Sequence, residues 1–434
     1  GQGLGGVDHM GCRDRHASWH MRIGYFSPMP PERTGIADYT ALLLPHLRER
    51  IDVAVQKRGR RRTRRDVDLN VYHIGNNPDS HSWIVEALRR APGLVVLHDF
   101  VLHHLVAGMT LGRGDGRAYI DAMHRESGVS GRLIAHGVVD GVVASPWEVC
   151  PERFPLVGEL FPFARGFIVH SRYVEERLRD VGYLGPIWRV AMPAWPLPAP
   201  GETQASSARE ASDFVVLSFG NLNPSKRLPQ LLRAFAELRT TIPRARLVLA
   251  GPEASELSLG KRIAEYGLED VVTRLGWVDE ATLWSLIAEA HVCVALRHPT
   301  MGETSSVALR AISAGLPMVV SDQGWYSELP DAVAAKVGVD AFEHATLVAT
   351  LALLARRPDV REAMSCAGRS LVAREHDVER VADAYVAAIE EMAGSELVQV
   401  EVAREVARAA GEVGLDPADP DVATLGRHLR ELGL

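Results

Sequence analysis

The chain has 434 residues, 47% of them apolar and 24% charged, a composition that excludes a largely disordered protein. Lys and Arg number 48 against 55 Asp and Glu, and the resulting net charge of −7 argues against a nucleic-acid binder, which carries a basic domain or stripe. The cysteines Cys12, Cys150, Cys293 and Cys366 are far apart, with no CxxC or Cys/His cluster. That spacing excludes a disulfide-built fold and a readable zinc site, and it fits a reducing, cytoplasmic compartment.

At roughly 150 residues per domain, the length predicts two or three domains. Residues 1–20 are polar, glycine-rich and histidine-bearing, and they read as a disordered leader outside the fold. Met21–Ser27 then reads as a buried strand, Pro28–Thr34 as a turn-rich loop, and the stretch from Gly35 as a helix. Further short apolar strands are predicted at Leu69–Ile74, Leu94–Leu97 and Gly166–Val169, each followed by helical periodicity. No apolar run approaches the roughly 18 residues of a membrane span; Leu347–Ala355 is among the longest.

Four prolines between Pro193 and Pro200, followed by the polar stretch to Ser212, mark a boundary. Beyond it the alternation restarts. Phe214–Phe219 is a strand, Leu228–Leu238 a helix and Arg246–Ala250 a strand ended by Gly251. Val271–Leu275 is a strand ended by Gly276, and Glu280–Ala290 is a helix with Asp279 as its N-cap. His291–Leu296 is a strand, Ser306–Ala314 a helix ended by Gly315, and Pro317–Ser321 a strand. The chain therefore divides into an α/β domain over 21–195, a linker over 196–212 and a second α/β domain over 213–375. A helix over 376–394 and a charged, alanine-rich helical tail over 395–434 follow. Both domains are expected to be doubly wound, with parallel sheets.

In such sheets ligands sit beyond the carboxyl ends of the strands. Gly220-Asn221 to Lys226-Arg227 follows the first strand of the second domain, and it combines a glycine with two cations at a helix start. Lysine occurs only at Lys57, Lys226, Lys261 and Lys336, so Lys226 stands out. This run suits a diphosphate or is a solvated basic helix start. Arg297 to Ser306 follows a buried strand and opens a helix whose amides favour an anion. Within it Glu303 is either a ligand for sugar hydroxyls or an exposed first-turn carboxylate.

Taken in order, these motifs resemble the family-4 glycosyltransferases of the GT-B architecture, from Met21 to about Met392. The resemblance rests on Gly220…Lys226-Arg227, Leu247–Gly251, Leu275–Asp279, Leu309–Pro317 and Gly324–Leu329 in the second half. In the first half it rests on Thr34–Asp38, Leu97-His98-Asp99 and His170-Ser171. It implies two Rossmann-like domains facing a central cleft, with a helix from Glu379 returning to the first domain and a C-terminal helical extension. It also implies a retaining transferase that moves a sugar from a nucleotide diphosphate to a hydroxyl acceptor, without metal or other cofactor. The acceptor would be a glycan, a lipid-linked group or a small molecule.

On matching positions, Lys226 and Arg227 would hold the diphosphate, and amides at Thr304, Ser305 and Ser306 would add to that hold. Glu303 would bind the donor sugar, His98 would lie near the anomeric centre, and Gly35 would give room beneath the diphosphate. Gly220, Asn221 and Glu328 would also face the donor, and Gly276, Trp277 and Val278 would flank its base. Asp38 and Asp99 would stand on the acceptor side, and Leu105–Ser145 would form acceptor loops. The family's usual pattern carries two glutamates eight positions apart. Here Arg310 stands at the second place and Gly302 at the first, so either Glu303 serves one residue later or the role has moved. An arginine cannot accept ribose hydroxyls.

Among the weaker signals, Arg58–Arg65 is a basic run that reads as a solvated loop, or as a contact for an anionic membrane at the inner face. Asp66-Val-Asp68 mimics a metal-binding DxD but precedes a strand in the wrong domain. Two other readings compete: a nucleotide-sugar epimerase on the same fold, which needs no acceptor, and a non-catalytic GT-B subunit. An oligomer is compatible with all of them.

Overall fold

The computed structural model describes residues 21–59, 67–198 and 213–394. The 1–20 leader, most of the Arg58–Arg65 run with Asp66, most of the 196–212 linker and the 395–434 tail lie outside the described residues.

Short apolar runs, the central ones Val/Ile/Leu-rich and buried on both faces, form two six-stranded sheets in which every pairing is parallel. The first contains β1 (Arg22–Phe26), β2 (Asp52–Val55), β3 (Leu69–Ile74), β4 (Gly93–Leu97), β5 (Ala164–Val169) and β6 (Ile187–Arg189), in the order β2-β1-β3-β4-β5-β6. The second contains β7 (Phe214–Phe219), β8 (Ala245–Ala250), β9 (Val272–Leu275), β10 (Val292–Ala295), β11 (Met318–Ser321) and β12 (Ala334–Val337), in the order β12-β11-β10-β7-β8-β9. With helices between the strands, this is the GT-B architecture of paired Rossmann-like domains.

Strand order decides where a crevice opens. In the first sheet the winding reverses between β1 and β3; in the second it reverses between β7 and β10. The loops after those strands splay apart from the sheet and face the other domain. The two loops of the second domain are also zipped together, His298 N–H donating to Ser225 O at 2.7 Å.

Helix Gly35–Arg48 starts at the cleft because Thr34 caps it, its hydroxyl accepting from Ala37 N at 3.1 Å. Its buried face carries Tyr39, Leu43, Leu44 and Leu47, at helical spacing. Helix Ser306–Ser313 is capped by Ser305 in the same way. The chain is helical again over 378–394, and this segment lies on the first domain. There the Tyr385 and Tyr39 hydroxyls bond to each other, Arg50 pairs with Glu379 and Asp383 at 2.7 Å each, and Trp188 Nε1 donates to Glu391 at 2.9 Å.

The sequence reading differs from this fold in two ways. β2, β6 and β12 were not expected: they are partly exposed sheet-edge strands of four, three and four residues, and each includes a charged residue (Asp52, Arg189 and Lys336) that interrupts the apolar pattern. The stretch Leu105–Ser145, read as loops, is mostly helical, with Gly116–Val139 bent at Ser127 and Gly128 where the backbone leaves helical angles.

Candidate functional site

Two connected cavities occupy the cleft. The larger, about 790 Å³, lies under the second domain and is lined by Gly220, Asn221, Lys226, Trp277, Val278, Arg297 and Arg310, with Asp38 opposite. The smaller, about 230 Å³, is lined by Tyr39, His81, His98, Asp99 and His170 of the first domain. Thr34, Gly35, Glu303, Thr304 and Ser306 line both, so the two spaces join where the helices Gly35–Arg48 and Ser306–Ser313 begin. A Cβ at Gly35 would come within 4.0 Å of Ser306 Oγ. Another hollow of about 900 Å³ lies on the first domain, away from these strand-end loops, where Arg125 and Glu159 satisfy one another at 2.7 and 2.8 Å.

In the larger cavity Lys226 is buried and its ammonium donates to Phe219 O. Burial, reinforced by the Arg297 charge, pushes its pKa down to about 7. Gly220, at φ +89, leaves room for that ammonium, since a Cβ there would sit 3.0 Å from it. Gly251 is also forced, because a Cβ would meet Gly220 O at 2.1 Å.

Arg227 does not join Lys226. Its backbone turns left-handed at φ +52, and its guanidinium is held by both oxygens of Glu343, outside the residues that line the cavity. The second cation is Arg297, which donates to Ser225 Oγ at 2.6 Å and pairs with Glu303 at 2.8 Å. A signal for Arg297 was present in the sequence, as it directly follows the end of a buried strand.

Glu303 is fixed rather than free. Its carboxylate accepts from Met301 N at 2.7 Å and from the Thr300 hydroxyl at 3.1 Å. Position 302 cannot hold a glutamate: Gly302 has φ +81, and a Cβ there would lie 2.6 Å from Phe100 Cβ of the first domain. The carboxylate of this loop is therefore carried by the next residue, Glu303.

Two further expectations are corrected. Glu328 faces no donor cavity; its carboxylate accepts from the Arg172 and Tyr173 amides at 3.1 and 2.6 Å, bridging the domains at a helix start. Gly276 is not a lining residue, and its carbonyl accepts from Gly251 N. Asp38, on the first domain, lines the larger cavity beside Arg310. Asp68, of the discounted DxD, accepts from Arg22 N at 2.7 Å and so is structural.

The smaller cavity gathers histidines that sequence reasoning assigned only in part. His73 lies near the end of β3, His98 follows β4 and His170 follows β5, so successive strands place them at one level. His98 Nε2 and His73 Nδ1 share a hydrogen at 3.0 Å, and the Tyr39 ring meets His98 edge-on at 4.9 Å. Burial holds His98 well below the usual histidine range and brings His170 to about 4, so these rings are neutral at neutral pH. Asp99 goes the other way: burial, then repulsion from Glu303, lifts it to about 7.

Paired parallel sheets with basic and hydroxyl-rich loops meeting across a cleft place the protein in the GT-B glycosyltransferase fold. Residues 201–371 match the family described as Glycosyl transferases group 1. Over 182 residues the chain is 31% identical to the D-inositol 3-phosphate glycosyltransferase of Segniliparus rotundus, covering 39% of each chain. Over 210 residues it is 27% identical to the lipopolysaccharide core biosynthesis glycosyltransferase LpsD of Rhizobium meliloti, covering 48% of this chain and 59% of that one. The matches thus span 39% and 59% of these relatives' lengths. Among solved structures, sucrose-phosphate synthase from Thermosynechococcus elongatus superposes with a TM-score of 0.57 at 20% identity, over 86% of this chain and all (100%) of that one. HepE of Anabaena in complex with UDP gives 0.55 at 14% identity, over 86% and 100%. Among the described residues no helix is long and apolar enough to cross a membrane.

Proposed function

We propose that the protein is a retaining glycosyltransferase that moves a sugar from a nucleotide diphosphate sugar to a hydroxyl acceptor in glycan or glycoconjugate synthesis. The observation that carries this reading is that a cation-bearing cavity adjoins a small one lined by histidines and carboxyl groups. A diphosphate at the junction meets Lys226, Arg297 and the start of helix Ser306–Ser313, whose amides and dipole favour an anion. The same groups stabilise charge on the leaving diphosphate as the glycosidic bond breaks. No metal is required in this scheme, because cations and a helix start already face the diphosphate. The sugar extends into the smaller cavity, between Glu303 and the His98 side, and the nucleoside lies toward Trp277 and Val278. The names of the relatives and the UDP bound by HepE support a sugar nucleotide as donor. A cytoplasmic setting, with Arg58–Arg65 touching an anionic membrane, belongs to the same proposal.

The test is a thermal-shift panel of UDP, GDP, ADP and TDP, with and without magnesium, on the wild type and on Lys226→Ala. A ligand that binds only the native state raises Tm by mass action. Stabilisation by one nucleotide, independent of magnesium and lost in the variant, is expected. No shift with any of the four overturns the donor site. Once the donor is known, the anomeric configuration of the product, read by proton NMR, tests retention.

A further inference from the structure

His81 lies in helix Pro78–Arg90, beyond every motif that suggested the site, and it is 1% exposed. Its Nδ1 stands 3.1 Å from the His73 carbonyl oxygen. A carbonyl only accepts, so Nδ1 carries the hydrogen and Nε2 of the neutral ring is a lone-pair acceptor. Burial brings its pKa to about 4, which keeps the ring neutral.

The same device occurs at His103, where Nδ1 donates to Phe154 O at 2.8 Å. There the remaining nitrogen is used inside the protein, accepting from the Tyr119 hydroxyl at 2.9 Å. At His81 nothing among the described residues takes up Nε2, and the ring lines the smaller cavity.

Gly75 shows that this nitrogen has company. A Cβ at residue 75 would stand 2.6 Å from Ile36 Cδ1, 3.0 Å from Asp99 Oδ2 and 3.1 Å from His81 Nε2, so the two polar atoms lie side by side at the glycine, with the Ile36 side chain over them. Asp99 Oδ2 is steadied by Asn76 N at 2.7 Å. The cavity end is thus built from a neutral acceptor and a carboxyl group, with Glu303 on the opposite wall.

We infer that His81 Nε2, beside Asp99, accepts a hydroxyl of the transferred sugar and selects a neutral, hydroxyl-bearing sugar over one carrying a carboxylate at that place. This rests on the donor reading above. A hydroxyl can donate to Nε2; a carboxylate cannot, and it would also face the Glu303 carboxylate on the opposite wall. A buried acceptor left unpaired discriminates more sharply than an apolar wall.

The test titrates protein labelled with 15N-histidine, His81 being assigned by His81→Phe. The ligands are the nucleotide that succeeds in the panel, its hexose conjugate and its uronic-acid conjugate. The hexose conjugate is expected to shift the Nε2 resonance, and the nucleotide alone to leave it in place. The uronic-acid conjugate is expected to bind at least about tenfold more weakly than the hexose conjugate. In His81→Phe and Gly75→Ala the hexose conjugate should lose about tenfold in affinity while the nucleotide alone binds as in the wild type. A hexose conjugate that binds and leaves Nε2 unmoved overturns the assignment and leaves the donor site standing. Equal weakening of nucleotide and conjugate also overturns it, because a merely structural role would do that. If no nucleotide binds, the donor reading falls first and this inference with it.

Discussion

The Arg310 guanidinium stands 3.7 Å from the Asp38 carboxylate, an ion pair that spans the cleft from the second domain to the first. Glu280 lies 3.8 Å from the same guanidinium, and the Trp195 ring lies 3.9 Å beneath it. A nearly buried cation is thereby held by two carboxylates and an aromatic face. Arg310→Glu, which writes in the acid usual to the family, would crowd three carboxylates and leave them unpaired. A loss of about 2 kcal/mol is expected, the exposure of Asp38 and Glu280 having reduced it. Urea unfolding of the variant measures it; wild-type stability would refute the role.

Lys226, at about 7 when the cavity is empty, predicts that donor binding is coupled to a proton. A diphosphate stabilises the charged ammonium and raises its pKa, so above pH 7 binding takes up a proton, and below pH 7 the lysine is already charged. Calorimetry at pH 8 in buffers of different ionisation enthalpy should show uptake that shrinks toward pH 6; equal uptake at both pH values would refute the coupling. Asp99 also titrates near 7, so the uptake is expected to persist in Asp99→Asn, where only the lysine is left to take up the proton. The same shift has a stability consequence. The folded pKa lies below the unfolded one, so the cost of burying the charge is complete below pH 7 and relieved as pH rises above it.

Gly302 combines φ +81 with a missing Cβ that would lie 2.6 Å from Phe100 Cβ. Gly302→Ala should cost about 2 kcal/mol or more, from left-handed backbone strain and from the clash between domains. Gly302→Glu should be less stable still and gain no activity. Thermal unfolding compares the three proteins, and an unchanged Tm for Gly302→Ala would show that the loop relaxes freely.

Glu328 binds the Arg172 and Tyr173 amides, not the donor cavity. Glu328→Ala should therefore speed hydrogen exchange at the Tyr173 amide and leave nucleotide affinity within about twofold of wild type, whereas loss of an oxyanion-side contact costs far more. A tenfold loss of nucleotide affinity would return Glu328 to the donor site.

What the sequence determined by itself is local and periodic. Short apolar runs alternating with helical stretches specify parallel strands, Thr34 and Ser305 specify helix starts through their own side chains, and strand-end loops carry the reactive residues. Lys226, Glu303 and His98, which line the two cavities, stood out in sequence because they lie in the loops that follow strands. Only the tertiary structure decided which side chains meet. Arg227 lies next to Lys226 in sequence, yet it turns to Glu343, 116 residues away, and Arg297 takes the place beside the lysine. His81 enters the small cavity because Pro78–Arg90 packs beside β3 and its Nδ1 finds the His73 carbonyl. Both outcomes depend on strand order, which sets the loops that converge, and on ion and hydrogen-bond pairing across distances that no local pattern encodes.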